Sequence, residues 1–192
     1  MFDMKLAAKI TKKMYLPEGL VIPYRQAGTM SRIKIRRSNL GEGSRYILLS
    51  GSETWPMVLK SETAKAVIIV ESELDAILLH QEAGNLVTSI ALGNAQTRPD
   101  MITDQLLKQA KIILVSLDSD QAGVKESWQW WANHYPNSKR WPPVKGKDPG
   151  EMYLSGVDLR IWVEAGGIKS ACQVTGDARK WTKTKRRSPE YG

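Results

Sequence analysis

Two short β-branched runs, each stopping at a carboxylate, constrain this chain more than any other feature. Val67-Ile68-Ile69-Val70 ends at Glu71. Ile112-Ile113-Leu114-Val115 leads through Ser116 and Leu117 to Asp118, with Asp120 two residues on. Apolar runs of this length predict strands buried on both faces of a parallel sheet. A carboxylate just past such a strand stands at the carboxyl edge of the sheet, where open α/β folds bind ligands. Neighbouring strands would bring Glu71, Asp118 and Asp120 together. Three converging carboxylates repel one another unless a hard cation holds them, and Mg²⁺ takes a few carboxylates plus waters and substrate phosphates. The residues therefore predict a Mg²⁺ (or Mn²⁺) site that handles phosphates.

The segments around the two strands extend this reading. Ser72 and Asp75 have capping-box spacing at the start of a helix, whose inner face is expected at Leu74, Ile77, Leu78 and Gln81, with Gly84 ending it. Leu86 to Leu92 predicts a further strand, and Pro99 to Ala110 a helix packing through Met101, Ile102, Leu106 and Leu107. After the second carboxylate run, Val124, Trp128, Trp131 and Tyr135 share a helical face. Arg140-Trp141-Pro142-Pro143-Val144 reads as an edge strand, because two prolines exclude a central one. Asp148 has N-cap character, with Glu151 three residues on, and Leu159, Trp162 and Val163 mark the inner face of a last helix.

Upstream, Leu20 to Leu59 reads as antiparallel β. Within it, Met30 to Arg37 alternates, placing Ile33 and Ile35 inward and Arg32, Lys34 and Arg36 on the other face. By itself such a basic row is an ordinary solvated sheet face. The net charge of +8 favours a polyanionic partner such as nucleic acid, and it gains direction because the acids cluster while the bases lie elsewhere. The single cysteine, Cys172, excludes an intrachain disulfide; with His80 and His134 far from it in sequence, no zinc site is expected in this chain. With no secretory signal and no membrane-spanning apolar run, a cytoplasmic protein without a membrane partner is expected. Ala7, Ile10 and Met14 could share a helical face near the start. The Trp residues are expected in the core, apart from Trp55, Trp130 and Trp181.

Glu71, the Asp118-Ser119-Asp120 pair and Gly146-Lys147-Asp148-Pro149, in this order, resemble the Toprim domain of bacterial-type DNA primases, topoisomerases and OLD-family nucleases. Asp75 and Ala122-Gly123 match the primase branch. The resemblance spans roughly residues 20–155. It implies an α/β fold: a mostly parallel Toprim sheet flanked by helices, preceded by a small antiparallel β subdomain. The domains expected are a β-rich primase-core subdomain over 1–62, the Toprim domain over 63–167 and a basic flexible tail over 168–192. The resemblance further implies metal ligation by Glu71, Asp75, Asp118, Asp120 and Asp148, with Glu71, Asp118 and Asp120 catalytic, and phosphate contacts from Arg32, Lys34, Arg36, Arg45 and Lys147. A glycine such as Gly93 is implied to let backbone approach the site.

The activity so implied is a primase-like nucleotidyltransferase. It would use single-stranded DNA and nucleoside triphosphates in replication of a bacterial mobile element, with a replicative helicase or a separate zinc-binding module as partner. A Toprim nuclease and a non-catalytic nucleic-acid-binding accessory module are the alternatives. The sequence departs from the primase pattern at Ser72, where many Toprim domains have Gly, and at Gly150, where primases often place another acid. The zinc module that precedes the core in primases is not in this chain, which suggests the carboxyl-terminal part of a longer CHC2-zinc-finger primase-like protein. No G-x-x-x-x-G-K-[ST] loop occurs, so no fused helicase is expected.

Overall fold

A computed structural model describes residues 16–168, apart from 27, 40, 42, 95, 96 and 118–123; the side chains of 124–127 are likewise outside the description. The expected helical face at Ala7, Ile10 and Met14 and the basic tail, with Trp181, lie outside the described residues. The chain divides after Trp55 into two compact units.

The first unit carries a three-stranded antiparallel sheet in the order β1-β2-β3 (Gly19–Gln26, Thr29–Arg37, Tyr46–Leu48). Ile22 and Ile35 are its buried apolar anchors. The alternation of β2 is blurred, with Ile33 and Lys34 both half-buried, and it is reversed at Arg32. Arg32, expected on the outer face with Lys34 and Arg36, is buried. The reason lies in the bend after β3, which runs on along β2 instead of leaving it: Leu49 N–H donates to the Ile33 carbonyl and Glu53 N–H to the Ser31 carbonyl. That return path brings the Trp55 carbonyl over Arg32, whose Nη1 donates to it at 2.7 Å. The Tyr24 ring lies 5.3 Å from the guanidinium.

The second unit is a five-stranded sheet in the order β4-β6-β5-β7-β8, from β4 (Met57–Leu59), β5 (Ala66–Val70), β6 (Thr88–Ala91), β7 (Ile112–Ser116) and β8 (Ser138–Arg140). β5 through β8 pair parallel, and β4 pairs antiparallel with β6. All five residues of β5 are buried, as expected for a central parallel strand. The edge strand expected over 140–144 lies earlier: β8 is the edge strand but ends at Arg140, and Pro142 and Pro143, which cannot donate to a ladder, follow it outside the sheet.

Among the described residues, five helices accompany the sheet: α1 (Glu73–Ala83), α2 (Met101–Gln109), α3 (Val124–His134), α4 (Pro149–Leu154) and α5 (Leu159–Ala165). Trp131, Tyr135 and Leu107 form one cluster with Val67, Ile69, Ile90 and Ile113. Trp162, Leu159 and Val163 of α5 are buried as expected, and Trp55 is exposed. Trp130, expected away from the core, is partly buried and packs against that cluster, its ring edge-on to Trp131. Two helical faces also differ from the sequence reading. α1 buries Asp75, Ala76, Leu79 and Ala83, while Ile77 is 39% exposed. Leu74 and Leu78 are half-buried, so the buried face, through Ala76, Leu79 and Ala83, lies to one side of the expected one. In α2 the buried positions are Thr103 and Leu107, while Met101 and Ile102 stand 75% and 55% exposed. Asp100 sets that rotation as N-cap, accepting the Thr103 N–H at 2.7 Å.

Candidate active site

Because β5, β6, β7 and β8 are parallel, the segments that follow them leave the sheet at one edge. β5 ends at Val70, and Glu71, which follows it, is half-buried. The β5–β7 register sets Val70 opposite Ser116, so Glu71 emerges from the strand adjoining the one that leads to Asp118. Asp118 and Asp120 themselves lie outside the described residues. Among the described residues, no three His, Cys, Asp or Glu side chains gather to hold a metal ion.

β6 closes the same edge. Gly93 N–H donates to the Glu71 carbonyl at 2.8 Å. Gly93 has φ +88°, and among the described residues no atom lies within 4 Å of where a Cβ would stand. Its left-handed backbone conformation is one that L side chains rarely adopt, which favours glycine there.

α1 starts directly after Glu71. Ser72 is its N-cap, accepting the Asp75 N–H at 3.2 Å. Asp75 is buried, and its Oδ1 accepts the N–H of Gly150 at 3.0 Å. Glu73, also buried, was missed in the sequence reading, because an acid in a helix first turn is usually a solvated dipole partner.

The segment after β8 supplies Asp148. It caps α4 as expected, accepting the Glu151 N–H at 2.7 Å, with Pro149 in the first turn. Glu151 turns back: its Oε2 accepts the Lys147 N–H at 3.0 Å, and its Oε1 lies 3.4 Å from the Lys147 ammonium. Lys147 is thus exposed and ion-paired to Glu151.

The first unit holds a separate basic feature. A shallow cavity of about 270 Å³ is lined by Leu20, Arg36, Arg37, Ser38 and Arg45. Of the predicted phosphate contacts, Arg36 and Arg45 line it and are exposed. Lys34 lies over the Tyr46 ring at 4.7 Å, and Arg32 is buried as described. Arg37 was not singled out from the sequence. The signal available was its place at the end of the basic strand beside Arg36; its Nη1 donates to the Ser44 carbonyl at 3.2 Å, across the turn that brings Arg45 round.

No protein-family model and no curated protein matches the sequence. Solved structures do match. The zinc-binding and RNA polymerase domains of Aquifex aeolicus primase superpose with TM-score 0.56 at 21% identity, over 83% of this chain and 46% of that one. The RNA polymerase domain of Mycobacterium tuberculosis primase DnaG gives 0.55 at 19% identity, over 75% and 54%. The same domain in complex with a double-stranded DNA oligomer with a 6-nucleotide overhang gives 0.54 at 17%, over 75% and 52%. This chain spans about half the length of those fragments. A mostly parallel five-stranded sheet with helices, preceded by a separate small antiparallel sheet, is the arrangement they share with it. The chain has the Toprim-containing fold of DnaG-type DNA primase catalytic cores.

Proposed function

We propose that this protein is a primase-like nucleotidyltransferase that builds short oligonucleotides on single-stranded DNA. The observation that carries the reading is the sheet edge at which Glu71 follows β5, next to the strand leading to Asp118 and Asp120. The segment that leads from β8 towards Asp148 leaves the sheet at that same edge. These are hard oxygen donors, the set that suits Mg²⁺ or Mn²⁺. The M. tuberculosis DnaG domain, of the same fold, is known bound to DNA, which supports a nucleic-acid substrate here.

In this reading Glu71, Asp118 and Asp120 hold Mg²⁺, with Asp75 and Asp148 in support. The metal, when bound, neutralises triphosphate charge and lowers the pKa of the attacking hydroxyl. The chain's own residues bind and orient. Lys34, Arg36, Arg37 and Arg45 offer cations to backbone phosphates, which set register without reading bases. Arg32 is not among them, because its guanidinium is engaged inside the first unit. Lys147 is held by Glu151 and would have to exchange that partner for a phosphate. The mobile-element setting, and a helicase or zinc-module partner, belong to the same proposal.

The test is primer synthesis on single-stranded DNA with labelled nucleotides and Mg²⁺ or Mn²⁺, wild type beside Asp118→Ala/Asp120→Ala. Metal-dependent products that disappear in the double variant are expected. Degradation of the template in place of synthesis would establish a nuclease. DNA binding without either reaction would establish an accessory module.

A further inference from the structure

Asp75 and Gly150 lie 75 positions apart in sequence and meet at the start of α4. The Asp75 backbone N–H is taken by Ser72, the cap of α1, while its carboxylate reaches out of that helix to the Gly150 N–H at 3.0 Å. Gly150 follows the Asp148 cap and Pro149 in the first turn of α4. Asp75 is 9% exposed and Pro149 is buried, so this part-buried hydrogen bond is less open to competition from water than one on the surface.

Position 150 itself shows how tightly the two acids approach. A Cβ added to Gly150 would lie 3.2 Å from Asp75 Oδ1 and 3.3 Å from Asp148 Oδ1. Any side chain there must displace one carboxylate or the other by a few tenths of an ångström. The glycine is not needed for its backbone freedom, since Gly150 is not among the positive-φ glycines. Its missing side chain is the space into which both carboxylates close.

We propose that Asp75 is a positioning residue. It clamps the start of α4 through the Gly150 N–H and so holds Asp148 in register with the sheet edge at which Glu71 emerges, and glycine at 150 spares the clamp the crowding that a Cβ would bring. The inference rests on the nucleotidyltransferase reading, in which Asp148 supports the acidic centre. A clamp and a metal ligand make different demands on Asp75. A ligand needs the negative charge; the clamp needs only an acceptor at the Oδ1 position. Asp75→Asn keeps an acceptor and drops the charge, whereas Asp75→Ala drops both.

The experiment compares wild type, Asp75→Asn, Asp75→Ala and Gly150→Ala by primer synthesis, thermal melting and amide hydrogen exchange over residues 146–154. Loss of an orienting partner typically lowers activity by roughly 10- to 100-fold. That loss is expected for Asp75→Ala, with faster exchange over 146–154, while Asp75→Asn retains most of the wild-type rate and exchange protection. Gly150→Ala should lose activity while melting no lower than wild type, because alanine favours the helix. Equal losses in Asp75→Asn and Asp75→Ala would overturn the clamp in favour of a charge-dependent ligand. Unchanged exchange over 146–154 in Asp75→Ala would overturn it as well. If wild type makes no product, the exchange comparison still decides the clamp, and the failure belongs to the functional reading alone.

Discussion

Replacing Arg32 with alanine separates a structural arginine from a DNA-binding one. Arg32 Nη1 donates to the Trp55 carbonyl at 2.7 Å, and the guanidinium lies 5.3 Å from the Tyr24 ring centroid. A hydrogen bond to a charged group contributes about 1.5–3 kcal/mol. A cation–π interaction adds about 0.5–1 kcal/mol, more when desolvated. Arg32 is 6% exposed, so solvent does not replace these partners, and Arg32→Ala should destabilise the first unit by about 2–4 kcal/mol. With urea slopes of roughly 1–3 kcal/mol/M, the midpoint should fall by about 1 M or more. The assay is urea denaturation followed by circular dichroism, with DNA affinity measured against salt concentration in parallel. Removing a cation that neutralises one phosphate lowers the salt slope by about one. Arg32→Ala should leave that slope unchanged, while the exposed Arg36→Ala should lower it and leave the urea midpoint in place. A stable Arg32→Ala protein with a reduced salt slope would refute the reasoning, since it would mean that Arg32 faces the nucleic acid.

Two further substitutions test the packing. Leu79 is fully buried in α1 and Ile77 is 39% exposed, so Leu79→Ala should cost about 2–5 kcal/mol in urea denaturation and Ile77→Ala much less; equal losses would restore the helix face expected from the sequence. Tyr135 is buried and its hydroxyl donates to Asp104 Oδ1 at 2.8 Å. Burial, then that carboxylate, push the Tyr135 phenol well above its ordinary value of 10.0. A raised phenol pKa means that its contribution to stability is fully present below pH 10 and is lost as pH rises above it, where the unfolded chain ionises first. Wild type should therefore lose stability more steeply than Tyr135→Phe in denaturation curves above pH 10. The partner has the opposite sign. Hydrogen bonds from Lys108 and then Tyr135 hold Asp104 below its ordinary 3.8, so its contribution is present above that pH and is lost on further acidification.

Much of the second unit was legible because its signals are local and redundant. A five-residue strand buried on both faces must be nearly all apolar, and Ala66–Val70 is. Asp148 and Pro149 announce a helix start by chemistry that operates within one turn, and the turn forms as expected. The face of α1 was misread for a reason that is not local. Leu74, Ile77 and Leu78 form the row expected to face inward, but the helix is buried along Ala76, Leu79 and Ala83. Which of two adjacent apolar rows turns inward depends on the surfaces that receive the helix, and the fit of an interface is a property of two surfaces.

The same distinction runs through the candidate site. Composition and spacing alone determined that Glu71 follows a core strand of a mostly parallel sheet and that a basic β segment precedes it. Strand order and chain reversal decided the rest. The bend after β3 turned Arg32 from an outward cation into a buried one, and Arg37 joined Arg36 and Arg45 around a cavity. Asp75 found its partner in Gly150, across 75 residues. Short-range chemistry is written in neighbouring residues, because backbone geometry fixes where they lie. A hydrogen bond between distant segments depends on how separate elements pack, and no window of sequence contains both of its ends.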